Sequence, residues 1–224
     1  MDRTFLRFAA ACALALAVTT FLLWLLPRYS APGGTFEQAL ARAADPYYIA
    51  RLWVSLVHMV LGLVVALGLW RVLSPSSPGF AALGVALYAI WAVVELVAMA
   101  TNLFGVNMAW RAGYAAADPA TKEAYRVLII GWSGVWDGLY FVLGSGYSLG
   151  SLVFGALAIR MTGIARLSGV FLFLAAAIRI AFLLGGYAGQ AWAEDAAGFV
   201  YPVIQPVGRA VLAVWLWKES SRAI

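Results

Sequence analysis

Residues 80–103 read FAALGVALYAIWAVVELVAMATNL, an apolar run broken by a single formal charge, Glu95. The run exceeds the ~20 residues a helix needs to cross a hydrocarbon core. A charge near the bilayer midplane costs roughly 2.5–3.5 kcal/mol, so Glu95 marks a place where the interior must need or neutralise it. Three further apolar runs carry Asp137, Arg179 and Arg209 in the same manner, which makes two acids and two bases.

Working outward, the whole chain has this character. Of its 224 residues 64% are hydrophobic and 11% charged, against about 25% charged in an ordinary soluble domain. The composition predicts an integral membrane protein solvated mainly by lipid. Apolar runs at 5–26, 49–70, 80–103, 127–159, 164–184 and 199–217 predict an all-α, polytopic bundle of six transmembrane helices, forming one domain over 1–224. The first run follows Arg3 and Arg7 as a signal peptide would, but it is long and lacks a small-residue cleavage site, so it is read as a retained helix. Cys12, the one cysteine, excludes an internal disulfide; His58, the one histidine, excludes a bis-histidine haem or a multi-histidine metal site. No cofactor and no metal is expected. The net charge of +5 is spread over helix ends without a basic block, which points to membrane lipids as partners and away from nucleic acid.

An even helix count puts both termini on one side. The turns at 71–79 and 160–163 are tight, whereas the opposite side carries longer segments at 28–48, 105–125 and 185–197. The termini are accordingly placed in the cytoplasm and the protein in the inner (plasma) membrane. Trp24, Tyr29, Tyr47, Tyr48, Trp53, Trp110, Tyr114, Tyr125, Tyr187, Trp192 and Tyr201 form an aromatic belt at the outer boundary. Residues 35–44 suit a short interfacial helix. Asp118-Pro119 reads as an N-cap followed by proline at the first helical position, so the fourth helix is expected to span 119–159, with Gly144-Ser145-Gly146 as its weak point. No internal repeat is visible.

Counted from the outer helix ends, His58, Glu95, Asp137, Arg179 and Arg209 fall at roughly 9–15 Å depth at helical rise. Helical phase groups them with other polar residues: Tyr88, Trp91, Glu95, Met99 and Asn102 make one stripe; Ser133, Asp137, Tyr140, Gly144, Tyr147 and Ser151 another; Arg51, Ser55, His58 and Gly62 a third; Pro202, Gln205 and Arg209 a fourth. The candidate site is therefore a buried charge network of Glu95, Asp137, Arg179, Arg209 and His58, with Gln205, Asn102, Tyr140 and Trp136 around it. Two readings follow. Either the acids pair with the arginines and lock helix register, or the layer lines a cavity open to the outside that binds or moves a small, partly apolar or lipid-like molecule, or a proton. A membrane-embedded enzyme acting on a lipid-like substrate, with Glu95 or Asp137 as acid or base and His58 assisting, is the alternative, and a non-catalytic accessory subunit the third. The sequence assigns no catalytic residue: it has no metal-spaced cluster, no serine-histidine-acid arrangement and no phosphate loop.

At these residues the chain resembles a bacterial family of six-helix integral membrane proteins known only as a domain of unknown function, over much of residues 82–220. Val94-Glu95-Leu96 is similar to its mid-helix glutamate, Trp136-Asp137-Gly138-Leu139-Tyr140 with Gly144-Ser145-Gly146 to its aspartate-aromatic and glycine-rich segments, and Ile204-Gln205-Pro206 to its last helix. Ala92 stands where the family usually has arginine, and Pro206 where it often has an acid. The resemblance implies a six-helix membrane fold and importance for Glu95 and Asp137; it implies no substrate.

Overall fold

The computed structural model describes residues 2–32, 34–189 and 191–222, with side chains excluded for 191–201; the side chains of Trp192 and Tyr201 in the expected belt thus lie outside those described. Among the described residues the chain is helical with no strand. The long helices are α1 (Arg3–Leu25), α3 (Pro46–Leu73), α4 (Pro78–Ala100), α6 (Pro119–Ala158), α7 (Ile164–Ala188) and α8 (Ala191–Arg222); α2 (Phe36–Ala41) and α5 (Ala112–Ala116) are short.

Their starts follow from local chemistry. The α3, α4 and α6 helices each begin with proline, whose fixed φ suits the first turn and whose missing N–H would have no partner there. Asp45 caps α3, accepting from the amides of Tyr47 at 2.9 Å and Tyr48 at 3.1 Å, and also accepts from the Ala31 amide, which ties the first loop down. Thr35 and Gln38 close a reciprocal capping box on α2. Asp118 accepts from the amides of Ala120 at 2.9 Å and Thr121 at 3.1 Å.

Two of the expected loops are absent as loops. Beyond Ala100 the chain stays helical, first in the wider π form over Thr101–Arg111 and then through α5, so that Pro78–Ala116 is a continuous 39-residue rod; only Asp118-Pro119 stops it, because the residue before a proline is pushed out of the helical region. Similarly α7 runs to Ala188 and is ended by Gly189 at φ +65°, a left-handed cap. Among the described residues five helices are long and apolar enough to cross a membrane. The α8 helix, which contains the run at 199–217, is not among those five; it carries Pro202 and Pro206 inside a helix that nonetheless continues through both.

The six long helices pack as a closed ring in the order α1, α3, α4, α6, α7, α8 and back to α1. Each neighbours the next in sequence, and α1 against α8 closes the circle. The end holding the chain termini and the tight turns is filled along its axis by Tyr88, Trp91, Tyr147 and Phe154, with ring centroids 5.3–5.7 Å apart. Small residues set the spacing of α4 and α6: a Cβ on Gly146 would lie 2.9 Å from the Leu87 carbonyl oxygen and 3.0 Å from the Trp91 nitrogen. Gly144-Ser145-Gly146 is therefore no break in α6 but a place where its backbone touches α4.

Two outcomes follow. Gly146→Ala should destabilise the protein by ~1–3 kcal/mol, since the clash is with backbone that cannot move aside, whereas Gly134→Ala, where nothing lies within 4 Å, should hold or raise the unfolding midpoint in detergent. At α6, the hydrogen bond from the Thr121 hydroxyl, with backbone bonds from Thr121 and Ala120, holds the Asp118 carboxyl below its ordinary range. The cap is thus fully formed above the unfolded value of ~3.9 and is lost as pH falls through the lower folded value. Amide protection at Ala120 and Thr121 should be flat from neutral pH down to ~5 and decline below ~4; protection indifferent to pH in that window would contradict the assignment.

Candidate functional site

Above the aromatic plug the ring encloses a cavity of about 490 Å³ to which all six long helices contribute. From α1 come Leu23 and Trp24; from α3 Arg51, Ser55 and His58; from α4 Trp91, Glu95 and Met99; from α6 Trp136, Tyr140, Leu143 and Tyr147; from α7 Arg179 and Phe182; from α8 Gln205 and Arg209. Trp91 and Tyr147 form both the floor of this space and the top of the plug. Beneath them lies a second void of about 30 Å³, bordered by Tyr88, Gly208 and Arg209.

Depth can be taken from the helix ends that carry the turns and termini. At 1.5 Å per residue, Arg209, His58 and Arg179 stand ~20–22 Å above that plane and Glu95 ~26 Å, while Arg51, Trp24 and Trp136 stand ~32–33 Å above it. A hydrocarbon core is ~30 Å thick. A slab of that thickness with its lower face on that plane would take in the first four groups and leave Arg51 with the two indoles at its upper rim.

Arg209 is held by α1 and α3. Its Nη1 donates to the Thr20 hydroxyl, to the Leu16 carbonyl at 3.4 Å and to His58 Nε2 at 2.9 Å. A guanidinium has no acceptor, so Nε2 must be the unprotonated nitrogen of a neutral ring and Nδ1 carries the proton. Nδ1 then donates to Thr19 Oγ1 at 2.8 Å, which passes its own hydrogen to the Leu16 carbonyl at 3.1 Å. Both faces of His58 are thus committed, neither to a carboxylate, so the acid-imidazole couple considered from the sequence does not form.

Glu95 accepts from Trp91 Nε1 at 2.6 Å. That indole is wedged by Gly62, where a Cβ would come within 2.6 Å of its ring. The charges of Arg179, Arg209 and Arg51 all act on Glu95 through space, yet among the described residues none forms an ion pair with it; the pairs present are Arg126 with Glu123 and Arg222 with Glu219, within one helix each. Arg179 donates to the Tyr140 hydroxyl at 2.6 Å, and its guanidinium carbon lies 4.1 Å from that ring's centroid. Gly144 gives it room, since a Cβ there would lie 3.0 Å from Arg179 Nε. Gln205 accepts from the Tyr147 hydroxyl at 2.9 Å.

Of the residues singled out from the sequence, Glu95, Arg179, Arg209, His58, Gln205, Tyr140 and Trp136 meet on this cavity. Asp137 and Asn102 do not. Asp137 is exposed, ~32 Å above the lower plane and so at the edge of the core. It lies on the inward phase of α6, but the residue is exposed at that height, and its backbone carbonyl accepts from the Tyr187 hydroxyl. Counting depth from residue 127 had set it too low, because α6 begins eight residues earlier and protrudes. Asn102 lies ~36 Å up, accepting from the Tyr48 hydroxyl at 3.1 Å. The sequence reading set Arg51 on an inward stripe without counting it in the site, and it passed over Thr19 and Thr20, although Thr19-Thr20 is a polar doublet inside an otherwise apolar run, and that was the available signal.

Thr20→Val keeps the shape of the side chain and removes an acceptor from a buried cation. It should lower stability by ~1.5–3 kcal/mol, the range for hydrogen bonds to charged groups, and by more than Thr19→Val, which touches only the neutral ring; equal midpoints for the two variants in detergent would refute this ordering. No protein-family model, curated protein or solved structure matches the chain, so the site rests on its own residues.

Proposed function

We propose that the chain is a six-helix, multi-pass protein of the bacterial inner membrane, with both termini in the cytoplasm, that binds or moves a small, partly apolar molecule through the cavity in the outer half of the ring. The observation that carries this reading is the cavity itself: about 490 Å³, within the ~300–1,000 Å³ of small-molecule sites. It combines aromatic and aliphatic walls with a few convergent polar groups, the make-up such sites share. The lock reading, by contrast, calls for acids seated against the arginines, and Glu95 has no such contact among the described residues. Glu95 is also the carboxylate on the cavity wall, and a proton moved with the ligand would be carried there.

The test uses purified protein in nanodiscs of zwitterionic lipid and a set of water-soluble amphiphiles sharing a naphthyl body. At least one should raise the unfolding midpoint, since a ligand at 100 times its Kd stabilises by about 2.7 kcal/mol. Ser55→Leu, which fills the cavity from α3, should abolish the shift. A response unchanged in Ser55→Leu, or none from any amphiphile, would remove the reading.

A further inference from the structure

Among the described residues the cavity wall bears three guanidinium groups and one carboxylate, an excess of two positive charges with Glu95 ionised. Taking the proposed binding role as its basis, we infer that the ligand is an anion: an acidic head, carboxylate, phosphate or sulfonate, on an aromatic or aliphatic body.

Donor counting leads there first. Each guanidinium presents five N–H groups. Among the described residues Arg51 donates none to protein, Arg179 donates from Nη1 to Tyr140, and the bonds of Arg209 all leave from Nη1. Among the described residues the fully buried side-chain nitrogens without a partner are Arg111 Nε and Trp215 Nε1, both elsewhere, whereas Arg51, Arg179 and Arg209 all line the cavity. Their remaining donors are available to that space, where fork-shaped pairs of N–H groups match the two oxygens of an acid.

Charge leads to the same place. Arg179 and Arg209 stand ~20–22 Å along helices of membrane-spanning length, and at such a depth in a hydrocarbon slab a cation is retained only if something answers it. Ion pairing with Glu95 does not. A neutral polar guest would satisfy the hydrogen bonds and leave the charge; an amine would add to it; an anion answers both. The distribution of side chains fixes its orientation. The deep cations take the head, and Trp24, Trp136 and Phe182, which stand higher in the cavity, hold the body, with Arg51 at the rim to draw the acid in. Glu95 is held by the Trp91 indole N–H at 2.6 Å and, among the described residues, is paired with neither deep arginine, which leaves both for the bound acid.

Binding of naphthalene-2-carboxylate, naphthyl phosphate, 2-naphthylmethanol and 2-naphthylmethylamine is compared by calorimetry on the full chain in phosphatidylcholine nanodiscs. The acids should bind at least tenfold tighter than the alcohol, and the amine should not bind. Arg179→Gln should weaken the acids tenfold or more and leave the alcohol within threefold, with Arg179→Lys recovering part of the loss. Because the acid-to-alcohol ratio is read within each variant, a general loss of folded protein leaves it unchanged. Repeating the titration with phosphatidylglycerol in the nanodisc separates two sources of the head: competition identifies a lipid headgroup as the resident anion, and undiminished affinity a free acid. An alcohol that binds as tightly as the acids, or a ratio that survives Arg179→Gln, overturns the anion assignment while the cavity remains a site. Failure of all four compounds removes the binding role itself.

Discussion

Six helices in a closed ring cannot touch at their common axis. Equal cylinders arranged six to a ring leave a space as wide as a seventh, and a helix with side chains is ~10–12 Å across, so the axis must be filled by side chains or left open. Every other feature of the molecule answers that constraint. At the end bearing the turns, four large aromatic residues from α4 and α6 fill the axis, and the glycine contacts between those two helices narrow it. At the other end the described aromatic residues, Trp24, Trp136, Tyr140 and Phe182, line a wall, and the space persists as the cavity.

The boundary between filled and open is where the charges gather. Trp91 belongs to both halves: its ring packs on Tyr88 and Tyr147, and its indole N–H holds Glu95. Arg209 likewise borders both the large cavity and the small void below it. Its charge is met by a neutral imidazole, a hydroxyl and a carbonyl, which satisfy donors without cancelling charge. The surrounding protein has thus solved the hydrogen-bonding problem of this arginine and left its electrostatic problem standing, whereas Arg51 retains both.

Hydropathy alone made the helical class legible, since long apolar runs have few alternatives. Phase counting also indicated which faces turn inward on α3, α4 and α8, and His58, Glu95, Gln205 and Arg209 do share one space. Asp137 shows where phase stops being informative: it names the face of a helix but not whether a neighbour stands opposite. The extent of α4 was similarly hidden. Thr101, Asn102 and Gly105 look like the start of a loop, yet the chain continues as a π-helix because contacts with α3 and α6 support it past the point where composition suggests an end. Arg51 shares the inward stripe of Ser55 and His58 but reads as a boundary residue, and the shape of the ring brings it onto the cavity wall.

One seam of the ring differs from the other five. Consecutive helices are tethered by direct connections, short ones except for the segment that carries α2 between α1 and α3, but α1 and α8 have the whole chain between them. Arg209 reaches its Thr20 partner across 189 residues. Contacts so distant in sequence carry the largest loop-closure entropy and form late. During synthesis the first five long helices can associate in order while the circle stays incomplete, and the axial space has no enclosing wall until α8 arrives. The arginine facing the cavity is then also the clasp that completes the chain's topology, so the maturation of the fold and the creation of its internal chamber are a single late event.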